Sequence, residues 1–396
     1  MKHSSTPVNQ PGMRAQKEGT RCTQGLVLSG RQWILVIMSL CLTMWVIPIG
    51  WQGLETFDPE ESYRIPYAAS RDYWLYERYV NQPHDEPTVY FVGDSVVWGE
   101  YVSKEGTWTH WLNDHSQGEP RFVNLALNGL YPLALEGLLE HYAKELHHAQ
   151  VLLHCNLLWM SSPQADLSDP KEQVFNHPML VPQWEPQLPS YHATMETRLS
   201  RLVGNHWSWL AWIRHLQIHY WDQKDPYQWT LMDDGRYPPT YPNHRSFPWQ
   251  AIDWQLEQEP SPDPDRGLES PRHKPWSELG EGTQRYDWVP LSQSLQWAAF
   301  QRICQRMAHR DNALMVIIGP FNQHMLHPDH RPTFKAYEQE IIQWFRDQGI
   351  AHLAPPTLPS HQYGDASHPL QPGYRMLAQQ LWEAPDFQQW IKPLKR

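Results

Sequence analysis

Short apolar runs alternate along most of the chain with longer stretches of helical periodicity. Residues 88–92, with the sequence TVYFV, form a β-rich run that ends at Gly93. Further strands are predicted at residues 121–126, 151–153, 313–318 and 350–353, and helices at residues 133–146, 291–309, 332–348 and 371–382. Strands that alternate with helices of this length predict an α/β domain with a doubly wound parallel sheet.

The alternation is interrupted between residues 161 and about 290. This stretch holds 17 of the 36 prolines and 10 of the 22 tryptophans of the chain. Residues 194–221 have a helical pattern, whereas residues 233–290 are predicted to be mostly loop because closely spaced prolines block a helix. We interpret the whole stretch as a mostly irregular and helical insertion in a domain that spans residues 88–396.

One apolar run near the N-terminus is long enough to matter for localisation. Residues 33–49 are 17 residues without a charge, and as a helix they are about 26 Å long, at the short end for crossing a bilayer. Before the run, basic residues outnumber acidic ones: Glu18 is the single acid beside Lys2, Arg14, Lys17, Arg21 and Arg31. After the run come the acidic residues Glu55, Asp58, Glu60 and Glu61. The positive-inside rule predicts a single-pass membrane anchor at residues 33–50, a cytoplasmic tail at 1–32, and an extracytoplasmic remainder that begins with a juxtamembrane segment at 51–87.

A cleaved signal peptide, a lipoprotein signal and a buried helix of a soluble protein are the alternatives for this run. No convincing small-x-small cleavage site follows Ile49, and Leu40 stands where a lipoprotein signal has a small residue before Cys41. The charge difference between the two flanks argues against a buried helix. We therefore favour an uncleaved anchor.

Composition excludes several classes of protein. The 32 basic and 43 acidic residues give a formal charge of −11, and without a basic block such a chain is a poor binder of the nucleic-acid backbone. The mean hydropathy of −0.65 excludes a protein with many membrane spans. Four cysteines form neither a disulfide framework nor a CxxC metal motif.

The first predicted strand ends in the sequence Gly93-Asp94-Ser95-Val96-Val97-Trp98-Gly99. Reactive groups collect at the carboxyl ends of strands in an open parallel sheet, and the amides of a tight turn can hold a developing negative charge. Ser95 is therefore a candidate nucleophile. Alternatively, Asp94 or Ser95 only caps the helix that follows.

Near the C-terminus, Asp365 and His368 are three residues apart in a predicted turn before the last helix. A carboxylate at this spacing can fix the tautomer of an imidazole and leave its other nitrogen free to act as a base. Taken alone, the pair is better explained by a solvated Asp in a capping turn and an incidental His, since the chain has 22 histidines.

Together, the two ends resemble the SGNH (GDSL-type) hydrolase family. The sequence GDSxxxG at residues 93–99 is similar to the first block of that family, and DxxH at 365–368 is similar to its last block. The resemblance covers residues 88–160 and 291–385. It implies a flavodoxin-like three-layer sandwich with a parallel sheet, interrupted here by the insertion at about 161–290.

The resemblance also implies roles for individual residues. Ser95 would be the nucleophile, His368 the general base and Asp365 the residue that orients it. The oxyanion hole would consist of the backbone amides of Ser95 and Gly129 and the side chain of Asn156. His154 stands where the third block of the family has Gly, which is a departure at the third oxyanion donor.

Two further residues are candidates for the pocket, and one group of histidines is not. Asp94 precedes the nucleophile, and Asn322, at the end of a later strand, is a rival or an addition to Asn156. His324, His327 and His330 have a loose spacing in a loop-like stretch, which favours a solvated loop over a metal site. We assign no metal and no organic cofactor.

The tryptophans of the predicted helix at 194–221 have two interpretations. They are Trp207, Trp209, Trp212 and Trp221. We favour a core between the insertion and the sheet. The alternative is stacking on sugar rings or a position at the membrane interface.

The leading functional hypothesis is an extracytoplasmic serine esterase or O-acyltransferase, held to the membrane by residues 33–50. Its substrate would be an acylated small molecule or an acylated glycan of the envelope; nothing indicates a nucleic-acid or a particular protein partner. The alternative is a catalytically silent protein of the same fold that binds or assembles extracellular polysaccharide. A metal-dependent phosphoesterase that uses the histidine-rich loop is a third, weaker hypothesis.

Overall fold

The computed structural model describes residues 28–84, 86–171, 176–220, 256 and 273–392. Most of the predicted cytoplasmic tail and most of the loop predicted at 233–290 lie outside the described residues. The chain divides into two compact units, residues 1–47 and residues 48–396. The described part of the first unit consists mainly of one helix.

Five parallel strands form a single sheet, which confirms the predicted α/β class. They are β1 (Thr88–Val92), β2 (Arg121–Asn124), β3 (Gln150–Cys155), β4 (Ala313–Ile318) and β5 (Ala351–Leu353). Their order is β2-β1-β3-β4-β5. This is the order of flavodoxin-like sheets, in which ligands bind beyond the carboxyl ends of the strands.

Eleven helices are described. They are α1 (Gly30–Leu54), α2 (Tyr73–Val80), α3 (Ser95–Trp98), α4 (Trp108–Ser116), α5 (Pro132–His141), α6 (Met195–His206), α7 (Ser208–His219), α8 (Leu295–His309), α9 (Arg331–Asp347), α10 (Gln371–Glu383) and α11 (Pro385–Trp390). The helix predicted at 194–221 is in fact two helices, because Trp207 ends α6 and begins α7 in an extended conformation. Trp221 lies outside the described residues.

The helices cover both faces of the sheet, which produces the predicted three layers. Every residue of β3 is buried, and alternate side chains point to opposite faces. Val151 and Leu153 belong to the hydrophobic cluster that contains residues of α5, α8 and α9. Leu152 belongs to the second cluster, which contains residues of α4 and α10.

Helix α1 matches the predicted apolar run and extends it at both ends. It has 25 residues and is long and apolar enough to cross a membrane. Its last turn belongs to the second unit. There Trp51 packs against Trp212 of α7 with ring centroids 5.6 Å apart, in a small cluster that also contains Trp74. At least this tryptophan of the insertion therefore serves as core.

The segment between α1 and β1 is packed into the domain. Tyr63, Ile65 and Tyr76 are buried in the main hydrophobic cluster. The Arg64 guanidinium stacks 3.9 Å above the ring of Trp98. It also donates hydrogen bonds of 2.6–2.8 Å to the carbonyl oxygens of Trp98, Gly99 and Val102. The segment predicted as a juxtamembrane approach thus holds the turn that follows Ser95.

The insertion is fastened to the sheet domain at two places. At Gly137 on α5, a Cβ atom would lie 2.0 Å from the carbonyl oxygen of Leu180, so only glycine lets the insertion cross this helix. Asp166 accepts hydrogen bonds of 3.0 and 3.1 Å from the amides of Leu295 and Gln296 at the start of α8. The insertion is therefore part of the folded body.

Candidate active site

Ser95 is the first residue of α3, directly beyond the carboxyl end of β1. The side chain of Asp94 caps this short helix by accepting a hydrogen bond of 3.0 Å from the amide of Val96. The turn needs glycine at position 93, because a Cβ there would lie 2.6 Å from Val97 and 2.9 Å from His154. Asp94 therefore caps the helix, and Ser95 stands half-buried at its first position.

The structure brings Ser95 and His368 together across 273 positions of the chain. The Ser95 Oγ and the His368 Nε2 are 2.7 Å apart. On the other side of the ring, the His368 Nδ1 lies 2.7 Å from Oδ2 and 2.9 Å from Oδ1 of Asp365. Asp365 Oδ1 also accepts 2.9 Å hydrogen bonds from the amides of Ser367 and His368, which fix the carboxylate in its turn. We call these three side chains the serine site.

The electrostatics of the serine site follow from this geometry. Burial works against the charged form of both groups, but their mutual attraction is stronger. The pKa of Asp365 is lowered because His368 and the two turn amides stabilise the carboxylate. The pKa of His368 is raised to about 9 because the attraction of Asp365, and of Asp94 and Glu100 further away, outweighs burial. The ring thus has a higher proton affinity than an ordinary histidine.

Tyr101 is a further member of the site that the sequence did not indicate. Its hydroxyl donates a hydrogen bond of 3.0 Å to Asp365 Oδ2. Its backbone is left-handed, with φ of 66°, and its ring stacks on His273 at 3.8 Å. A non-glycine residue in this region is strained, and such strain is concentrated at functional sites. No motif marks this tyrosine, which lies six positions after Ser95.

Asp94 is the centre of a buried network rather than a pocket residue. It is 2% exposed, and its carboxylate accepts hydrogen bonds from the Asn156 side chain at 2.8 Å and from the Trp159 indole at 3.1 Å. His154 Nδ1 lies 3.0 Å from the same carboxylate, and its Nε2 donates to the carbonyl oxygen of Gly319 at 2.9 Å. Burial opposes the charge of Asp94, but His154 and the hydrogen bonds lower its pKa. His154, the departure from the family pattern, therefore supports Asp94.

Of the predicted oxyanion residues, Asn156 belongs to this network and Gly129 lies in a separate left-handed turn. One N–H of the Asn156 side chain is used on Asp94, while its Oδ1 accepts a 3.0 Å hydrogen bond from Leu158. Gly129 has a φ of 79°, and a Cβ there would lie 2.3 Å from the side-chain nitrogen of Asn176. The structure thus explains the glycine by a left-handed turn and by the close approach of Asn176.

Gly129 lines a cavity of about 320 Å³. Its wall is partly apolar, with Leu133, Leu167 and Val181, and also includes the polar side chain of Asn176. The insertion contributes several of these residues. The cavity therefore lies where the sheet domain and the insertion meet.

The remaining candidate residues are placed differently from the expectation. Asn322 is fully buried; its side chain donates a hydrogen bond of 3.1 Å to the carbonyl oxygen of Asp365 and so supports that turn. It does not line an open pocket. His324 is bound to the carbonyl oxygen of Leu358 at 3.0 Å. Within the described ranges, the loop histidines at 324, 327 and 330 do not converge into a group that could hold a metal ion.

Comparisons with known proteins find matching solved structures but no sequence relative. No protein-family profile matches the chain. No curated protein matches it either. Among solved structures, the chain is similar to a protein from Desulfitobacterium hafniense DCB-2 that is assigned to the lipolytic G-D-S-L family. The two are 10% identical with a TM-score of 0.33, and the match covers 75% of this chain and 98% of the other.

Proposed function

We propose that the chain is a membrane-anchored serine esterase or O-acyltransferase. The observation that carries this proposal is the continuous set of contacts from Ser95 Oγ to His368 Nε2 at 2.7 Å and from His368 Nδ1 to Asp365 at 2.7 Å. A hydroxyl, an imidazole and a carboxylate in this order are the groups that activate a serine for attack on an acyl carbon.

The reaction would proceed through a serine ester. His368 Nε2 takes the proton of the Ser95 hydroxyl as Oγ forms a bond to the ester carbonyl carbon. The tetrahedral intermediate then expels the alcohol, which receives that proton from His368. Water or another hydroxyl, deprotonated by the same ring, attacks the carbonyl carbon of the serine ester. The bond from that carbon to Ser95 Oγ then breaks, and His368 returns the proton to Oγ. Asp365 holds the ring and stabilises its charged form throughout.

The charge that develops on the carbonyl oxygen would be stabilised by three groups. These are the amides of Ser95 and Gly129 and the side chain of Asn156. An asparagine amide carries two N–H groups. One is bound to Asp94, so the second is the donor to the oxyanion. Each donor of this kind typically contributes a factor of roughly 100 to 1,000 in turnover.

The substrate would be an acyl ester of a small molecule or of an envelope glycan. Gly129, a proposed oxyanion donor, lines a partly apolar cavity, which supports an acyl group as part of the substrate. Helix α1 supports attachment to a membrane, and the charges that flank it support an extracytoplasmic position for the domain. The same intermediate serves hydrolysis and transfer, so both reactions belong to the proposal.

The test is hydrolysis of short-chain p-nitrophenyl esters by the full chain in detergent. We expect Ser95→Ala to abolish turnover. Ser208→Ala, which removes an exposed hydroxyl at the start of α7, is the matched control and should retain wild-type rates. Equal hydrolysis by wild type and Ser95→Ala would remove the enzyme proposal for this site.

A silent binding or assembly protein is the second candidate. It is favoured by His154 in the place of the family glycine and by the Asn156 amide turned toward Asp94. A fluorophosphonate probe separates the two candidates, because it reacts with an activated serine. Labelling of Ser95 that disappears in His368→Ala would support the enzyme. Absence of labelling in a folded wild-type chain would support the silent protein.

A further inference from the structure

A second group of histidine and carboxylate side chains lies apart from the serine site. Asp72 precedes α2, and His215 and His219 lie one turn apart on the same face of α7. Asp72 Oδ2 is 2.6 Å from His215 Nδ1 and 3.0 Å from His219 Nε2. These three ligand atoms all lie within 4.8 Å of one another. We call this group the α2–α7 cluster.

We propose that the α2–α7 cluster binds a divalent metal ion of the zinc class. Two imidazole nitrogens and one carboxylate oxygen form a donor set that suits zinc, with a water molecule as the fourth ligand. Two histidines four residues apart on a helix can reach one ion, because their side chains lie one above the other. Asp72 completes the set from a different helix.

The spacing of the three atoms suits an ion after a small adjustment. Zinc binds nitrogen and oxygen ligands at about 2.0–2.1 Å, so tetrahedral ligand atoms lie about 3.3 Å apart. The present separations of 2.6 and 3.0 Å from Asp72 Oδ2 are shorter than this by about 0.7 and 0.3 Å. Rotation of the side chains supplies that opening without a change in either helix.

The surroundings of His215 are those of a metal-binding histidine. When one ring nitrogen binds a metal, the other usually donates its proton to a carboxylate, which fixes the tautomer. His215 Nε2 lies 2.9 Å from Glu55 Oε1. Glu55 is itself held by hydrogen bonds from Trp51 and Tyr220 and by an ion pair with Arg78. The outer carboxylate is therefore fixed before any ion binds.

The charges of the cluster also call for a cation. The side chains of Glu55 and Asp72 are both fully buried. Arg78 neutralises Glu55, but among the described residues no lysine or arginine forms an ion pair with Asp72. A divalent ion would supply the missing positive charge. A proton on His215 is the competing way to supply it.

The α2–α7 cluster would be reachable from solvent on one side, and a bound ion would stabilise the fold. The His219 side chain is 13% exposed, so an ion and its water ligand can reach the cluster from that side. Bound there, the ion would join the start of α2 to α7 and thereby fasten part of the insertion to the domain. An ion that binds the folded chain but not the unfolded one stabilises the folded state.

The experiment uses the full chain in detergent, stripped with a chelator and then dialysed against Zn²⁺. We expect about one zinc per chain by elemental analysis and a rise of roughly 5 °C in the thermal midpoint at saturating zinc. His219→Ala should lose both effects. His309→Ala, which removes an exposed histidine from the end of α8, should keep both.

A second variant separates a metal site from a metal-free network. Glu55→Gln should still bind one zinc but with roughly 10- to 100-fold lower affinity, because only the outer carboxylate is changed. Co²⁺ in the wild type should show the visible absorption of a tetrahedral site, and His219→Ala should not. Folded wild-type protein that binds no more zinc than His219→Ala, with the same midpoint in chelator and in zinc, would overturn the proposal in favour of a protonated His215.

Discussion

The serine site and the α2–α7 cluster are both built around a buried histidine that contacts an aspartate, yet they are chemically different. In the serine site, one nitrogen of His368 faces Asp365 and the other faces the hydroxyl of Ser95. In the α2–α7 cluster, the two nitrogens of His215 face the carboxylates of Asp72 and Glu55. The second nitrogen therefore decides the use of the ring: a hydroxyl can be activated, whereas two carboxylates can only hold a proton or a metal.

His154 shows a third arrangement of the same groups. One nitrogen lies against Asp94, and the other donates to the carbonyl oxygen of Gly319. A carbonyl oxygen can accept a hydrogen bond from the ring, but it carries no proton that the ring could remove. This ring is therefore a support for Asp94 and the turn that holds Ser95.

The largest expected effect tests whether the carboxylate in the serine site makes His368 a base. Asp365→Asn keeps the shape of the side chain but allows the wrong tautomer of the ring. We expect turnover of p-nitrophenyl esters to fall by roughly 10⁴-fold. Asp329→Asn, at an exposed position that pairs with Arg285, is the control. A loss of less than tenfold would mean that His368 does not depend on Asp365.

The next effect concerns stability at Asp94. Asp94→Asn removes a buried carboxylate that contacts His154, Asn156 and Trp159. We expect the free energy of unfolding to fall by about 3–5 kcal/mol, measured by urea unfolding at constant pH. The exposed control Asp329→Asn should change it by less than about 0.5 kcal/mol. Similar values for both variants would show that this carboxylate does not support the fold.

The pH dependence of ester hydrolysis tests the electrostatics of the serine site most directly. The pKa of His368 is raised to about 9, and the base must be neutral to accept the serine proton. We therefore expect kcat/KM to rise with pH to an inflection near 9 rather than near 6.5. An inflection at or below the ordinary histidine value would contradict the attraction between His368 and Asp365.

The same raised pKa has a consequence for stability. A group whose pKa is higher in the folded than in the unfolded state stabilises the folded state while it is protonated. For His368 this contribution is complete below the unfolded pKa of about 6.5 and disappears as the pH rises through about 9. Across that window we expect a loss on the order of 3 kcal/mol in the free energy of unfolding. His368→Gln should lack this loss when both proteins are unfolded in urea at pH 6 and pH 10.

The smallest expected effect comes from Tyr101. Tyr101→Phe removes one hydrogen bond to Asp365 and leaves the three side chains of the serine site in place. We expect kcat/KM to fall by about tenfold, which corresponds to about 1.4 kcal/mol. Tyr337→Phe removes a buried hydroxyl that is bound to the carbonyl oxygen of Val289 instead, and should not change kcat/KM. Equal effects of the two variants would leave Tyr101 without a positioning role.

The sequence predicts the sheet well because its strands are apolar on both faces. Strand β4 has the predicted bounds, Ala313–Ile318, since glycine and polar residues mark both of its ends. The break at Trp207 was not predicted, because no glycine or proline stands at that position and the bend depends on packing. Local patterns thus specify elements better than they specify bends.

The site was predictable only as far as its motifs extend. The two short motifs single out Ser95, Asp365 and His368, and the structure places their side chains together. Tyr101 and the role of His154 were missed, because each depends on a contact between distant parts of the chain. The α2–α7 cluster is likewise invisible in the sequence, since Asp72 and His215 are 143 positions apart.

The contact of Arg64 with the turn after Ser95 limits where a truncated recombinant fragment of this protein can begin. The guanidinium ties down the carbonyl oxygens of Trp98, Gly99 and Val102, although Arg64 itself precedes the first strand by more than twenty positions. A recombinant fragment that starts at β1 would contain every motif residue and still lack this support. We therefore expect that the stretch between α1 and β1 must accompany the sheet whenever α1 is removed.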